Sequence, residues 1–342
     1  MNLNMMRAAV FTGERELQLT EVEVPEIGDD DLLIKVTACG ICHTDEGFIE
    51  GTPTFKKPPI ILGHEASGRV SQVGKNVTNF KVDDPVLIPP VMTCGYCRFC
   101  INGRETLCSN QNFMGSHTDG AFAEYVKVPA KDIVKVPETL PLADVAIVSD
   151  AVATPYHAVF ERAHVQPGDV VAVIGCGGVG INVVQMAVVA GAKVIALDLI
   201  DSKLELAKQF GAHLTINPRK EDVKKRIRAY TSHVDISFEV IGNPKTQELA
   251  FSLLSPGGKM VAVGYSPKPW DGFNSGKVMF REMEIIGSLG CPPKSFPKII
   301  HLLETKKIKL DNLITHRYKL EQINEAFEQL RKGEGVRILI EL

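Results

Sequence analysis

Hydrophobic positions in the first third of the chain alternate with polar ones at a period of about two. Leu17, Leu19, Val22 and Val24 lie among charged and polar residues, and Leu32–Val36 is a similar short run. Proline and glycine residues separate these runs, as they do at turns. Because a period of two is typical of half-buried strands, this region predicts a compact, mostly antiparallel β domain.

The pattern changes near Pro167. Val170–Ile174 is a continuous apolar run, as expected for a strand that is buried on both faces of a parallel sheet. A helical stretch follows and ends at Gly191, and Lys193–Leu197 is the next apolar run. This part of the chain therefore predicts a strand, a helix and a second strand in succession.

The alternation of strand and helix continues. Ser202, with Glu205 three residues later, predicts the start of a helix that ends at Gly211. Val234–Phe238 and Lys259–Val263 are further apolar runs, separated by helical patterns. Such alternation predicts a doubly wound α/β domain with a parallel sheet.

The last fifty residues carry two helical patterns and a strand. The patterns cover Pro297–Thr305 and Glu321–Leu330, and the second has apolar residues on one face. Gly333 is placed to end this helix, and Val336–Ile340 predicts a final strand.

Composition narrows the class of protein. The 342 residues are enough for two domains, because single cores stop growing at about 250–300 residues. Apolar residues make up 44% and charged residues 23%, which excludes a disordered chain, and a net charge of −3 argues against binding nucleic acid. The longest apolar stretch, Val183–Ala192, is too short to span a membrane. Met1–Val10 has no apolar signal segment, so we expect a cytoplasmic location.

Four of the eight cysteines are clustered: Cys94, Cys97, Cys100 and Cys108. Four thiolates at these spacings suit a closed tetrahedral zinc site. An iron–sulfur cluster is possible by ligand type, but the ferredoxin spacings differ and no proline follows the last cysteine. A zinc ribbon that binds nucleic acid is less favoured, because the chain is acidic overall.

A glycine-rich loop follows the first apolar strand of the α/β region. It reads Gly175-Cys176-Gly177-Gly178-Val179-Gly180, a G-x-G-x-x-G pattern between a strand and a helix. Its glycines would bring backbone N–H groups close to a pyrophosphate at the helix N-terminus. Asp198 lies 18 residues later, where an acid binds ribose hydroxyls and repels a 2′-phosphate, so the pattern favours NAD over NADP.

A second group of metal-ligating residue types is dispersed: Cys42, His64-Glu65 and Asp150. A catalytic zinc has three protein ligands and one open position. The spacing does not fit a metalloprotease helix, because position 68 is Gly68 and not a second histidine. Spacing alone does not assemble this set, since an isolated histidine or cysteine is more often a core residue.

Together these motifs resemble those of zinc-dependent medium-chain alcohol dehydrogenases, in the same order. The matching stretches are Gly40-Ile41-Cys42-His43-Thr44-Asp45, Gly63-His64-Glu65-Ala66-Ser67-Gly68, the four clustered cysteines, the glycine-rich loop, Leu313-Ile314-Thr315-His316 and Ile323-Asn324-Glu325-Ala326-Phe327. The resemblance implies a GroES-like, β-rich catalytic domain plus a Rossmann domain with a doubly wound parallel sheet. We expect the catalytic domain in residues 1–151, with a structural-zinc lobe at about 93–109, the NAD-binding domain in 152–289, and a return segment in 290–342 that completes the catalytic domain.

The resemblance also implies roles at the catalytic site. Cys42, His64 and Asp150 would bind the catalytic zinc, with aspartate where most members have cysteine. Glu65 matches an alternate ligand, and Asp45 matches the acid that orients the ligating histidine. Thr44 matches the hydroxyl that takes the alcohol proton. The histidine that often completes the relay is replaced by Gly47, which leaves cofactor hydroxyls and water as the route for the proton.

Further positions align with contacts to the cofactor: His43, Thr154, Lys203, Val240, Val263 and Arg337. A solvated loop residue is the alternative for His43. With the structural site, the resemblance implies NAD and two zinc ions per chain.

The implied reaction is hydride transfer between a secondary alcohol and NAD, which gives the ketone. Three stretches resemble those of family members that act on a cyclic allylic alcohol carried as a CoA thioester: Ile88-Pro89-Pro90-Val91-Met92, Asp150–Tyr156, and Gly290-Cys291 followed by Pro293. The alternatives are a general alcohol dehydrogenase of broad specificity and a zinc-free enoyl reductase-like relative. The expected partners are a small-molecule alcohol or hydroxyacyl-CoA, with no nucleic acid and no membrane, in a homodimer or homotetramer.

Overall fold

A computed structural model describes residues 5–270, 273–333 and 335–342. The chain forms two compact units. Met1–Ala151 and Cys291–Leu342 form the first, which we call the β-rich unit, and Val152–Gly290 forms the second, which we call the parallel-sheet unit. One long stretch of chain therefore interrupts the β-rich unit.

The strands, in chain order, are β1 (Met5–Phe11), β2 (Gln18–Glu23), β3 (Asp31–Ile41), β4 (Ile60–Ile61), β5 (Glu65–Val73), β6 (Pro85–Ile88), β7 (Val91–Met92), β8 (Asn112–Phe113), β9 (Tyr125–Pro129), β10 (Val134–Lys135), β11 (Val170–Ile174), β12 (Lys193–Leu197), β13 (Leu214–Ile216), β14 (Ile236–Glu239), β15 (Lys259–Ala262), β16 (Glu284–Gly287), β17 (Ile314–Lys319) and β18 (Arg337–Glu341).

The α-helices are α1 (His43–Ile49), α2 (Arg98–Ile101), α3 (Leu142–Val145), α4 (Ala153–Tyr156), α5 (Gly178–Val189), α6 (Asp201–Gln209), α7 (Val223–Tyr230), α8 (Pro244–Leu253), α9 (Ser275–Phe280), α10 (Phe296–Glu304) and α11 (Ile323–Lys332). A π-helix covers His157–Ala163, and 3-10 turns cover Glu105–Leu107, Ala130–Asp132, Ala146–Ser149, Pro293–Ser295 and Leu320–Gln322.

A seven-stranded sheet organises the β-rich unit. Its order is β10-β6-β5-β3-β18-β17, with β9 also paired to β3. Strand β3 is antiparallel to β5, and Gly40 lies opposite Glu65 in the register. Strand β18, from the second part of the unit, pairs with the end of β3, where Ile338 lies opposite Ile41. The end of β3 and the start of β5 are therefore held side by side, next to β18.

Helix α11 covers part of this core, as its apolar face predicted. Ile323, Ala326 and Phe327 are buried, and the Phe327 ring meets Phe122 edge-on with centroids 6.0 Å apart. The helix ends at Gly333, whose φ of 70° is the left-handed conformation that a side chain would strain. The predicted end of the helix is confirmed.

The parallel-sheet unit has the order β13-β12-β11-β14-β15-β16, with every pair of neighbours parallel. All five residues of β11 are buried, as a central strand requires. The order of neighbouring strands reverses at β11, and crevices at such reversals bind ligands at the carboxyl ends of the strands. The predicted doubly wound domain is confirmed.

One predicted helix start is wrong. Helix α6 begins at Asp201 after Ile200, without a side-chain cap, so Ser202 already lies inside the helix. The Asp201 carboxylate instead accepts a hydrogen bond from Asn217 and pairs with Lys220. Tertiary contacts thus replace the local cap that the sequence suggested.

Among the described residues, the helices are all too short or too polar to cross a bilayer.

Candidate active site

Three predicted ligands meet where β3 ends and β5 begins. Cys42 follows β3 and precedes α1, and His64 immediately precedes β5. Because Gly40 and Glu65 are paired in the register, the two residues just beyond the strands are neighbours. Asp150 reaches the same place from the end of the turn Ala146–Ser149.

The ligand atoms are spaced for one metal ion. The Cys42 Sγ and Asp150 Oδ2 atoms are 3.8 Å apart, and His64 Nε2 is also 3.8 Å from Asp150 Oδ2. Ligands 2.0–2.3 Å from a tetrahedral zinc are roughly 3.3–3.8 Å from each other. Moreover, His64 Nε2 is buried and has no hydrogen-bond partner among the described residues, which is costly unless a metal binds it. The donor set therefore fits zinc.

Asp45 orients the histidine. This fully buried carboxylate accepts hydrogen bonds from Gly63 N and His64 Nδ1 on one oxygen, and from Cys42 N on the other, each at 3.1 Å. A proton on Nδ1 leaves the Nε2 lone pair for a metal. Burial disfavours the charged ring, but the Asp45 carboxylate, together with Asp150 and Cys42, outweighs burial and raises the pKa of His64 well above its ordinary value. For Cys42, burial raises the thiol pKa, but His64 and Arg337 together outweigh burial, and the pKa is lowered.

Helix α1 presents two further predicted residues. His43 and Thr44 are exposed in its first turn, and Thr44 Oγ1 lies 3.7 Å from Cys42 Sγ. The hydroxyl thus lies beside the candidate metal position, where the predicted proton acceptor is needed. Gly47 lies one turn further along this helix.

The four clustered cysteines converge as predicted. Their sulfur atoms lie within 4.8 Å of one another, with Sγ–Sγ distances of 3.5 Å for Cys97–Cys100 and 3.9 Å for Cys94–Cys100. Backbone N–H donors lower the pKa of Cys97 to about 6, whereas burial raises that of Cys100 to about 12. Four sulfur ligands would fill all four positions of a tetrahedral zinc ion and leave none for a substrate, as in a closed structural zinc site.

The base of this lobe is fixed by the buried Asp132. Its carboxylate accepts hydrogen bonds from Thr93 N at 2.9 Å and from Lys131 Nζ at 2.7 Å. Thr93 immediately precedes the first cysteine. Charged hydrogen bonds therefore attach the lobe to the rest of the β-rich unit, next to the candidate zinc site within the lobe.

The glycine-rich loop joins β11 to α5 in the parallel-sheet unit. Gly175 has φ +98°, and a Cβ on Gly180 would collide with the Gly175 carbonyl oxygen. A Cβ on Gly177, in contrast, would meet no protein atom within 4 Å. The space beside Gly177 is what the close approach of a dinucleotide pyrophosphate requires.

Asp198, at the end of β12, touches the same loop. Its Oδ2 accepts a hydrogen bond from Cys176 N at 2.7 Å, and its Oδ1 accepts one from Ile200 N at 2.9 Å. The parallel pairing of β11 and β12 accounts for this, because their carboxyl ends lie at one edge of the sheet. The acid therefore supports the loop in addition to its predicted role toward the ribose.

The other aligned positions of this unit lie on several elements. Val240 follows β14 and Val263 follows β15, so both lie at the carboxyl edge of the sheet, while Lys203 is in α6 and the buried Thr154 is in α4. A Cβ on Gly180 would also lie 3.3 Å from Val240, which places that valine against the loop.

Comparisons with known proteins agree with this arrangement. Residues 28–138 match the alcohol dehydrogenase GroES-like domain, and residues 178–305 match the zinc-binding dehydrogenase family. An alcohol dehydrogenase from Geobacillus stearothermophilus is 36% identical over 334 residues, covering 96% of this chain and 97% of the relative. The chain belongs to the zinc-binding medium-chain alcohol dehydrogenase family.

Other relatives have a range of named activities. A sorbitol dehydrogenase from Bacillus subtilis (strain 168) is 34% identical, with 98% of this chain and 97% of the relative covered. A cobalt- and zinc-bound thermostable alcohol dehydrogenase from Pyrobaculum aerophilum is 30% identical, with a TM-score of 0.89 and 99% and 100% covered. A solved NAD-dependent alcohol dehydrogenase has a TM-score of 0.92 at 28% identity, with 98% and 100% covered.

Family membership settles the class of the chain. It is an oxidoreductase of the zinc-type alcohol dehydrogenase class, whose cofactors are a nicotinamide dinucleotide and zinc. The GroES-like match lies within the β-rich unit and most of the zinc-binding dehydrogenase match lies within the parallel-sheet unit, so we refer to the two units as the GroES-like domain and the Rossmann-like domain.

The sequence did not predict one buried ion pair, which Glu65 and Arg337 form beside the candidate zinc ligands. Glu65 is fully buried, and its Oε1 accepts hydrogen bonds from Ala151 N at 3.0 Å and from the Arg337 guanidinium, itself buried in β18. A Cβ at Gly40 would collide with Glu65 Oε2, so the glycine is needed there. The motif around Glu65 gave no signal of a partner 272 residues away.

It also missed a buried acid in the Rossmann-like domain. Glu239 accepts hydrogen bonds from Ile241 N at 3.0 Å, Gly242 N at 2.9 Å and Thr246 Oγ1 at 2.8 Å. These bonds hold the turn that contains Val240. The only sequence signal is an acidic residue at the end of an otherwise apolar strand.

Replacement by alanine should have different effects at the two loop glycines, on stability at Gly180 and on NAD binding at Gly177. We expect Gly180→Ala to lower the free energy of unfolding by about 1–3 kcal/mol, because the new methyl overpacks the Gly175 carbonyl. Gly177→Ala should leave the melting temperature within a few degrees and weaken NAD binding, measured by calorimetry. Unchanged NAD affinity of Gly177→Ala would contradict the assignment of this space to the pyrophosphate.

The two metal sites should also respond differently. Asp150→Ala should leave the fold intact, reduce bound zinc from two ions toward one per chain and lower kcat/KM by at least roughly 100-fold. Cys97→Ser should lower the melting temperature, because binding of a structural metal contributes directly to folding. Asp29→Ala, an exposed carboxylate paired with Lys75, serves as the control. Full zinc and full activity in Asp150→Ala would show that another residue is the third ligand.

Proposed function

We propose that this enzyme transfers a hydride between a secondary alcohol and NAD, giving the ketone and NADH in a reversible reaction. The observation that carries the proposal is that His64 Nε2 is buried within ligand distance of Cys42 and Asp150 and has no hydrogen-bond partner among the residues that the structure describes. Three donors leave one position of a tetrahedral zinc for the substrate.

The proposed roles of the residues follow from their contacts. Zinc, when bound, would act as a Lewis acid that makes the substrate hydroxyl more acidic. Thr44, exposed beside Cys42, would take the hydroxyl proton, while Asp45 holds the His64 ring in the ligating tautomer. The aspartate ligand is harder than the usual cysteine sulfur and should make the ion a stronger Lewis acid.

Glu65 is a candidate alternate ligand that the ion pair with Arg337 restrains. One of its oxygens is engaged, while Oε2 is buried without a hydrogen-bond partner in the described parts of the chain. With Gly47 in place of a histidine, the proton would leave through the hydroxyls of the cofactor and water. The other cofactor contacts that we propose are those of His43, Thr154, Lys203, Val240, Val263 and Arg337.

The substrate has two candidates. A general secondary alcohol fits the varied activities named for the relatives. The narrower resemblance in residues 88–92 and 150–156 favours the enzyme class of 6-hydroxycyclohex-1-ene-1-carbonyl-CoA dehydrogenase, which acts on a cyclic allylic CoA thioester. A zinc-free enoyl reductase-like activity is disfavoured, because both ligand sets converge.

We also infer a homodimer or homotetramer in the cytoplasm. Strand β16 is an edge strand, and Ile285 on it is 42% exposed, which leaves backbone and apolar surface for pairing with a second copy. None of the eight cysteines, all of which lie in the described parts of the chain, forms a disulfide, which is compatible with zinc-binding thiolates and with a reducing compartment.

The activity is tested with zinc-loaded protein, NAD and a panel of simple secondary alcohols and cyclic hydroxyacyl-CoA thioesters, followed by the absorbance of NADH. We expect turnover of at least one alcohol class and its loss when zinc is removed by a chelator. Protein that holds two zinc ions and oxidises none of the panel would contradict the proposed function.

A separate prediction concerns the choice of cofactor. The intact enzyme should prefer NAD, and Asp198→Ala should weaken NAD binding roughly tenfold or more, because hydrogen bonds to a charged group are lost. Asp198→Asn keeps an oxygen for Cys176 N but removes the charge and the acceptor for Ile200 N, so it should raise the NADP to NAD ratio of kcat/KM while disturbing the loop less than Asp198→Ala does. Glu205→Ala, an exposed acid on α6, is the control. Equal use of both cofactors by the intact enzyme would refute the role of Asp198.

A further inference from the structure

Two loops of the GroES-like domain form a stacked aromatic pair. The Phe55 ring lies parallel to the His117 imidazole, with centroids 3.8 Å apart and an angle of 16° between the planes. Phe55 nevertheless remains 75% exposed. The imidazole therefore covers one face of the ring and leaves apolar aromatic surface in solvent. We call Phe55, Phe113 and His117 the aromatic corner.

Backbone hydrogen bonds fix the position of the pair. Lys56 N donates to Ser116 O at 2.8 Å, and Phe55 N donates to the buried Ser116 Oγ at 3.4 Å. The Lys56 ammonium is held by Asp119 at 2.7 Å. The two loops are thus joined on either side of the stacked rings, and the nearby positive charge is neutralised.

The corner adjoins the candidate catalytic zinc site. The Phe113 ring, at the end of β8, lies 5.0 Å from the His64 ring, and Phe113 N donates a hydrogen bond to His117 Nδ1 at 3.1 Å. The loop that carries Phe55 follows α1, whose first turn holds Thr44. Both loops of the corner therefore start from elements that carry or contact a predicted catalytic residue.

The imidazole of the corner is neutral. Because Nδ1 accepts a hydrogen bond, the ring proton is on Nε2, and burial lowers the pKa of His117 below its ordinary value. A neutral ring stacked on phenylalanine offers a flat apolar surface with one N–H donor and no net charge. Such a surface favours a flat π system, which stacks on aromatic rings, over a puckered saturated ring.

We propose that Phe55 and His117 determine substrate specificity, by selecting secondary alcohols whose carbinol carbon bears a planar, aromatic or conjugated group. This inference rests on the proposed function and refines its substrate class. The planar group would contact the aromatic corner, while the carbinol group lies toward His64 and Thr44. Saturated ring analogues would make fewer contacts with the same surface.

The test compares 1-phenylethanol with 1-cyclohexylethanol, which share the same carbinol group and differ in the ring. The variants are Phe55→Leu, which removes the exposed ring, and His117→Asn, which keeps an acceptor for Phe113 N but loses the imidazole. His316→Asn is the matched control, because His316 is a half-buried imidazole stacked on Tyr318 elsewhere in the same domain. For each protein, kcat/KM with NAD is measured for both alcohols.

Binding is measured separately, so that the result does not depend on turnover. Ligand-observed NMR titrations of both alcohols use zinc-loaded protein saturated with NADH, in which the alcohol cannot be oxidised. The intact enzyme should prefer the phenyl compound, and each corner variant should lower that preference roughly three- to tenfold in both measurements. The values for 1-cyclohexylethanol and for His316→Asn should change less than twofold.

Two outcomes would overturn the inference. One is an intact enzyme that binds both alcohols equally, and the other is a corner variant that weakens both to the same extent, as a purely structural stack would. Absence of turnover with either alcohol would count against the proposed function alone, because the binding preference still decides the role of the corner.

Discussion

A single buried carboxylate, Asp45, connects the parts of the catalytic site. It accepts hydrogen bonds from the amides of Cys42 and Gly63 and from the imidazole of His64. Cys42 and His64 are both candidate metal ligands. Burying a carboxylate away from solvent costs free energy unless several donors form hydrogen bonds with it. The fold must therefore keep these three donors together. The start of α1, the start of β5 and the orientation of His64 therefore depend on one another. The register of β3 and β5 brings Cys42 and His64 close together, and the hydrogen bonds of Asp45 orient them.

The two metal sites show what local spacing can predict. The four cysteines lie within fifteen residues, so a short turn and one small helix bring them together, and the sequence alone is enough to identify the site. The glycine-rich loop is equally local, because the strand before it and the helix after it can be read from periodicity. At Cys42, His64 and Asp150, in contrast, the ligands span 108 residues, and only the resemblance to a family brought them together before the structure did.

The contacts that the sequence did not reveal are long-range or depend on tertiary context. Arg337 and Glu65 pair because β18 is inserted next to β3, which no local pattern encodes. The sequence around Ser202 fits a capping rule, but the helix begins one residue earlier, at Asp201. The side chain of Asp201 is held by Asn217 and Lys220, which are distant in sequence. The stacking of Phe55 on His117 joins two irregular loops, where periodicity carries no information. The residues with the properties of metal ligands or nucleotide-binding loops were thus easier to predict from sequence than the residues that hold them in position.

The placement of β18 has a consequence for how this chain is made. The last residues of β3, which lead into the Cys42 ligand, lack one neighbouring strand until residue 341 has been synthesised. By then the entire Rossmann-like domain has left the ribosome and can fold on its own nearer contacts. Until β18 pairs, Glu65 is without its arginine, and a nascent GroES-like domain exposes the edge of β3 that leads to Cys42. Pairings of such high sequence separation form slowly. The sheet beside the candidate metal site is therefore completed only after the Rossmann-like domain has been synthesised.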